Sequence, residues 1–165
     1  MGVSAARPPV SLDALIEALE IQSEELRAFV NPETAEVVLV SDEALEAAET
    51  PDGASDVDEA EYELARAVLT TPGILEVPDR FDIDEYRMMT RFANARPTVR
   101  ERDVLGEALH GSGAFRRFKD ACYSLGIAQG WFGFRDEEYE ALAVRWCEDH
   151  GLAWTRPRDS RGPDA

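Results

Sequence analysis

Negative charge is concentrated in the N-terminal third of this 165-residue chain. Residues 1–60 contain fifteen acidic residues and two arginines, so they supply -13 of the formal net charge of -17. Residues 111–165 are nearly balanced, with nine acids and eight bases. This acidity argues against a nucleic-acid binder with a broad basic face and against docking on an anionic membrane. We therefore expect a basic protein as the partner.

The densest acidic segment, residues 42–63, contains ten acidic residues and no base. Such a run usually forms a solvated surface that keeps a protein soluble. The alternative is a docking surface for a basic partner, which includes mimicry of the charge of a nucleic acid. The candidate docking residues are Asp42, Glu43, Glu46, Glu49, Asp52, Asp56, Asp58 and Glu59.

The composition is that of a globular domain, with 44% hydrophobic and 31% charged residues. The longest apolar runs, such as residues 37–40, are far shorter than the roughly 20 residues that a bilayer requires. Residues 1–9 lack the apolar segment of a secretory signal. These observations predict a cytoplasmic protein without membrane association, in which Cys122 and Cys147 are free thiols.

Hydrophobic spacing and turn signals predict a mostly helical α+β fold. We expect a single domain over residues 10–152, with disordered tails at 1–9 and 156–165. Two β-capable runs around an Asn-Pro turn predict a small antiparallel hairpin over about residues 26–40. The segment 74–77 predicts a third short strand, because the proline that follows would end it.

Helix starts are predicted from capping residues. Ser11, Ser41 and Thr98 each precede a run with helical spacing, and their hydroxyl groups suit the N-cap position. A further helix is predicted over about residues 59–69. The pair Asp82 and Glu85 resembles a capping box, which predicts a helix from there to about residue 95.

Apolar spacing also predicts which side chains face inward. Tyr86 is expected on the buried side of the helix that follows Asp82, and Phe115 on the buried side of the helix after Gly113. The last helix is expected to follow the three acids at 136–138, which suit a helix N-terminus. The aromatic run 131–134 is then a plug between two helices, or less often a ligand platform.

The decapeptide at residues 111–120 (GSGAFRRFKD) resembles the hallmark segment of an uncharacterised bacterial family, number one-five-eight of the UPF series. Supporting segments follow in the expected order across roughly residues 10–152. They are residues 11–20 (SLDALIEALE), 31–38 (NPETAEVV), 81–83 (FDI), 131–136 (WFGFRD) and Trp146. The family implies no established activity, so the resemblance bears on fold boundaries and leaves function open.

Two positions depart from the pattern of that family. Its hairpin often has a glycine where this chain has Ala35, so the turn is expected to take another geometry or to be strained. Its hallmark segment often has a lysine where this chain has Ser112, which removes one cation from any anion site there. Both departures bear on local structure around the two most specific segments.

The same decapeptide could form an anion site, because glycines before a helix let backbone N–H groups face a ligand. Arginines would add charge, and nearby aromatics could stack on a nucleotide or on RNA bases. The candidate residues are Arg116, Arg117, Lys119, Trp131, Phe134 and Arg135. In the structural alternative, the glycines break between two helices, the aromatics are core and the arginines pair with carboxylates. We favour that alternative, because the three cations Arg116, Arg117 and Lys119 cannot offset the surrounding negative field.

Catalytic and metal motifs are absent from the sequence. Cys122, Cys147, His110 and His150 show no Cys-x-x-Cys pair, and both cysteines lie on apolar stripes, so neither a metal nor a cofactor is predicted. The leading hypothesis is a non-enzymatic interaction or regulatory protein that binds a basic partner through its N-terminal third. A phosphate-ligand, nucleotide or RNA-binding module is second, and an enzyme of unrecognised type is third.

Overall fold

The computed structural model describes residues 6–50 and 56–156. It confirms the mostly helical α+β fold that the sequence predicts. The residues group into two compact units. The first unit contains the residues up to Arg80 and those from Leu142 onward, and the second unit is Phe81–Ala141. One domain over residues 10–152 stays a prediction, because a grouping of contacts does not show whether either unit folds alone.

The first unit contains the strands and the N-terminal helices. Its elements are β1 (Val10–Ser11), α1 (Leu12–Ile21), β2 (Leu26–Val30), β3 (Val37–Ser41), α2 (Asp42–Glu49), α3 (Glu59–Thr70), β4 (Leu75–Glu76) and β5 (Trp154–Thr155). The sheet order is β3-β2-β4, and both neighbours run antiparallel to β2. The predicted hairpin and third strand are therefore confirmed. A parallel pair that the sequence did not predict aligns Val10 of β1 with Trp154 of β5.

The described part of the second unit is helical. Its elements are α4 (Arg80–Ile83), α5 (Glu85–Asn94), α6 (Val99–Ala108), α7 (Ala114–Ser124) and α8 (Ala128–Asp149). The first residue of α4 and the part of α8 from Leu142 onward are grouped with the first unit.

Three predicted helix caps are confirmed by their hydrogen bonds. The Ser11 hydroxyl accepts from the backbone N–H of Ala14 at 3.3 Å, and that of Ser41 accepts from Ala44 at 3.2 Å. The Thr98 hydroxyl accepts from the N–H of Glu101 at 3.2 Å. Each bond satisfies one N–H group that the first helical turn leaves without a partner.

The hairpin turn contains Ala35 in a left-handed conformation, with φ of 61°. The Ala35 N–H donates to the Asn31 carbonyl at 2.8 Å, and the Asn31 N–H donates to the Glu36 carbonyl at 2.9 Å. The Asn31 side chain also accepts from the Glu33 N–H at 3.0 Å. The turn thus keeps the geometry that suits glycine, and Ala35 bears the steric cost of a Cβ in that region.

Helices α2 and α3 cover one cluster of apolar side chains next to the sheet. The buried members are Phe29 and Val40 from the strands, Ala44 and Leu45 from α2, and Ala65 and Val68 from α3. Alternation along the strands and helical spacing in α2 and α3 bring these side chains together. The inner sides of both acidic helices are therefore fixed by packing.

The start of α5 differs from the prediction. The cap is Asp84 and not Asp82, because Asp84 takes a left-handed conformation and its carboxylate accepts from the Arg87 N–H at 3.1 Å. The predicted burial of Tyr86 and Phe115 is also wrong. Tyr86 is 45% exposed and reaches the Leu109 carbonyl with its hydroxyl group, and Phe115 is 44% exposed.

The last helix begins earlier than predicted, because α8 opens at Ala128, eight residues before the first of the three acids that it was expected to follow. The aromatic run 131–134 is therefore inside a helix and is not a plug between two helices. Trp131 and Phe134 each pack on Phe92, with ring centroids 5.5 Å apart in both pairs. The packing of these rings outweighs the poor helix propensity of Gly133, a residue that by itself would favour a break in the helix.

Some sequence predictions fall on positions that the structure does not describe. Asp52, residues 1–5 and residues 157–165 lie outside the described residues. Arg7, within the predicted N-terminal tail, pairs with Glu33 at 2.8 Å. Across the described ranges, no helix combines the length and the apolarity needed to cross a bilayer.

Candidate functional site

Exposed carboxylates of α2, of α3 and of the residues just before α3 form a group that we call the acidic face. Its members are Glu43, Glu46, Glu49, Asp56, Asp58, Glu59, Glu61 and Glu63, and all are exposed. Six of them were named from the sequence as docking candidates, and they are Glu43, Glu46, Glu49, Asp56, Asp58 and Glu59. Asp42 is half-buried instead and lies 3.9 Å from Arg27.

Few cations lie near the acidic face along the chain. Arg66 is the only base in α2 and α3. The ion pairs found in the described part of the first unit use other acids, as in Arg7 with Glu33 at 2.8 Å and Arg27 with Glu76 at 2.7 Å. Among the described residues, no ion pair includes a member of the acidic face.

The predicted anion site is built around α7, and Arg117 there is occupied by its own chain. Its guanidinium donates to the carbonyl groups of His110 and Ser112. Gly111 and Gly113 have positive φ values, and a Cβ on Gly113 would lie 3.3 Å from Arg117 Nη1. The loop therefore needs glycine at position 113, next to the Arg117 side chain. The hydrogen bonds of Arg117 fix the turn between α6 and α7.

Arg135 is occupied in the same way, by a carboxylate of α5. Glu85 accepts from Arg135 Nη2 at 2.7 Å and from the Tyr139 hydroxyl at 2.6 Å. The guanidinium also lies over the Tyr139 ring, 4.5 Å from its centroid. Burial by itself would raise the pKa of Glu85, but the hydrogen bonds from Tyr139 and Arg135 and the nearby positive charge hold it below its usual value.

The proposed stacking residues lie in an aromatic cluster of the second unit. Trp131 is 1% exposed, and its ring meets that of Phe118 edge to face at 5.0 Å. Phe134 is half-buried beside Phe92. Of the cations, Arg116 and Lys119 remain exposed on α7. The structure therefore uses Arg117, Arg135 and Trp131 for internal contacts and leaves two surface cations.

The cysteines are buried and free. Burial raises the pKa of both Cys122 and Cys147 to about 11, so neither supplies much thiolate at neutral pH. His150 contacts the Trp146 carbonyl through Nδ1 at 2.8 Å. Over the residues that are described, no group of three His, Cys, Asp or Glu side chains is arranged to hold a metal ion.

One feature that the sequence did not reveal is a groove between α5 and α8 in the second unit. It has a volume of about 340 Å³ and is lined by Phe92, Ala95, Arg96, Gly130, Gly133, Phe134 and Glu137. The signal was the spacing of Gly130, Gly133 and Glu137, which places them on one side of a helix. Because α8 was predicted to begin after these glycines, their spacing could not be read from the sequence as one side of a helix.

Comparison of the chain with protein-family models, with curated proteins and with solved structures finds no match.

Proposed function

We propose that this chain is a non-enzymatic cytoplasmic interaction protein that binds a basic protein through its acidic face. The observation that carries the proposal is the contrast between the two sides of α2 and α3. The inner sides are packed and fixed. The exposed carboxylates are six on these two helices and two just before α3, and none of them has an ion pair among the described residues.

This arrangement has an energetic consequence. Like charges on neighbouring helical turns repel each other, and a basic partner would relieve that repulsion when it binds. The two helices are held by their buried side chains, so the carboxylates are presented without ordering a flexible segment at the moment of binding. The negative electrostatic potential of the acidic face would also speed its encounter with a positively charged surface.

The anion-binding alternative has weaker support. Of its six candidate residues, Arg117 and Arg135 already have internal partners and Trp131 is buried. Arg116 and Lys119 are exposed, and two surface cations on one helix form a modest site. The resemblance to the bacterial UPF family is compatible with either role, and the assignment remains a proposal.

The test is affinity capture from a cell lysate with the wild-type chain and two charge variants. The first changes Glu43, Glu46 and Glu49 of the acidic face to Gln. The matched control changes three exposed glutamates elsewhere in the first unit, Glu17, Glu24 and Glu36, to Gln. Both variants lose three negative charges, so they separate the acidic face from net charge.

We expect a basic protein to be captured by the wild type and the control, with binding about tenfold weaker for the acidic-face variant. Raising the salt concentration from 0.05 to about 0.5 M should release it, because the Debye length falls below about 5 Å. Equal recovery by all three proteins, recovery that ignores salt, or no basic protein at all would contradict the proposal.

A further inference from the structure

The groove of the second unit is small, partly aromatic and bordered by two opposite charges. Its volume of about 340 Å³ lies at the lower end of the range for small-molecule sites. Phe92 and Phe134 supply apolar walls, and Gly130 and Gly133 expose the backbone of α8. Arg96 and Glu137 supply charge. All of these residues belong to the second unit.

The two glycines have no evident packing role in the helix. A Cβ on Gly133 would meet nothing within 4 Å, and a Cβ on Gly130 would make only ordinary contacts at 3.9 Å. Glycine inside a helix lowers stability relative to alanine. The two glycines therefore leave open space over α8 and lower the stability of the helix, and no neighbouring side chain requires that space. Occupation by a molecule from outside would explain it.

Arg96 is held in a fixed position at the edge of this space. Its guanidinium lies over the Phe92 ring, 5.1 Å from the centroid, and its Nη2 is 3.4 Å from a carboxylate oxygen of Glu101. Its Nη1 is the atom 3.9 Å from the Cβ position of Gly130. Within the described residues, Nη1 has no hydrogen-bond partner, so it is available to a ligand in the groove.

The charges in and around the groove favour a zwitterion over a simple anion. Arg96 is positive, whereas Glu101 behind it and Glu137 at the groove are negative. A ligand that carried only a carboxylate would meet net negative charge. Glu137 is exposed, and the ion pairs of the described residues do not include it. A ligand with both an ammonium group and a carboxylate would complement both sides.

We propose that the groove binds a free amino acid with an aromatic side chain. Its carboxylate accepts hydrogen bonds from Arg96, including Nη1, and its ammonium group donates to Glu137. Its ring lies against the exposed part of Phe134 and the glycine surface of α8, since aromatic rings pack edge to face or offset against one another. This site is separate from the acidic face and does not depend on its role.

The test uses isothermal titration of the full chain with four probes that share a phenyl ring. L-Phenylalanine carries both charges, 3-phenylpropionate only the carboxylate, phenethylamine only the ammonium group, and benzyl alcohol neither. We expect phenylalanine to bind best and each of the other three to bind at least about tenfold more weakly, since each lacks at least one charged contact.

Three variants connect binding to the groove. Gly133→Leu should fill the space and abolish phenylalanine binding, and Gly133→Ala should weaken it. The matched control is Gly106→Leu in α6, where a Cβ also meets nothing within 4 Å and which does not line the groove. Glu137→Gln should lower the affinity for phenylalanine toward that for 3-phenylpropionate.

Several results would overturn the proposal. One is no binding of phenylalanine at about 10 mM, a concentration that detects millimolar dissociation constants. Another is equal binding of all four probes, which would indicate an apolar groove without recognition of charge. A third is wild-type affinity in Gly133→Ala, a variant that is expected to fold because alanine favours a helix.

Discussion

The acidic face and the arginines of α7 and α8 both appear in the sequence as charge clusters, but the structure treats them differently. Arg117 and Arg135 are bound to a loop and to Glu85 within their own unit. The carboxylates of the acidic face are exposed, and the described residues provide them with no ion pair. Removing one partner of an internal pair leaves the other charge uncompensated, whereas an exposed charge without an internal partner is available for binding.

The largest expected effect concerns the bonds around Glu85. Changing Glu85 to Gln removes the charge that Arg135 and Tyr139 contact, and should lower the free energy of unfolding by about 2 kcal/mol at pH 7. The control is Glu140→Gln, an exposed position on α8, where we expect a change within about 0.5 kcal/mol. Urea unfolding followed by circular dichroism measures both.

The difference in unfolding free energy between wild type and Glu85→Gln should depend on pH, which tests whether the charge of Glu85 stabilises the fold. Because the pKa of Glu85 is lower in the folded protein, its carboxylate contributes stability above the unfolded pKa of about 4.3 and loses it as the pH falls through the folded value. The gap between wild type and Glu85→Gln should therefore be constant near pH 7 and should shrink below about pH 4. A gap that widens in acid would show that the charge does not stabilise the fold.

A smaller effect is expected from Arg117, compared with its neighbour Arg116. Arg117→Ala removes two charge-assisted hydrogen bonds to exposed carbonyl groups and should cost about 1 to 2 kcal/mol. Arg117→Lys should not restore this, because an ammonium group lacks the planar fork that reaches both carbonyls. Arg116→Ala should change stability by less than about 0.5 kcal/mol. Equal losses at both positions in thermal unfolding would contradict the assignment.

The smallest effect should come from the acidic face itself. The variant with Glu43, Glu46 and Glu49 changed to Gln should be as stable as wild type, or more stable by about 0.5 kcal/mol, because it relieves repulsion. The gain should disappear in 0.5 M salt, which screens the repulsion in wild type. A loss of more than about 1 kcal/mol in the free energy of unfolding at low salt would mean that these carboxylates stabilise the fold. The acidic face would then not differ from the paired arginines of α7 and α8.

Local signals in the sequence were sufficient for part of the fold. The caps at Ser11, Ser41 and Thr98 each act over three residues, and the hairpin follows from two short apolar runs around one turn. Within that turn Ala35 has a φ of 61°, a conformation that suits glycine better than alanine. Such features depend on bonds between near neighbours, so a short window of sequence contains their causes.

The start of α8 could not be predicted from a short window of sequence. Gly130 and Gly133 favour a break when each is judged by its own helix propensity. The helix continues through them because Trp131 and Phe134 pack against Phe92, roughly forty residues earlier in the chain. A burial gain of this kind depends on a distant element, and the groove beside these glycines was hidden for the same reason.

The sequence by itself determined where the negative charge lies, which segments form most of the helices and the three-stranded sheet, and where several of the helices begin. Only the tertiary structure decided which charges are used. Arg135 meets Glu85 across fifty residues of chain, and Arg117 turns back to the loop that precedes its own helix. Composition and periodicity record how many charges there are and which side of a helix they occupy. Whether a charge is paired depends on distances between atoms that are set when the helices pack.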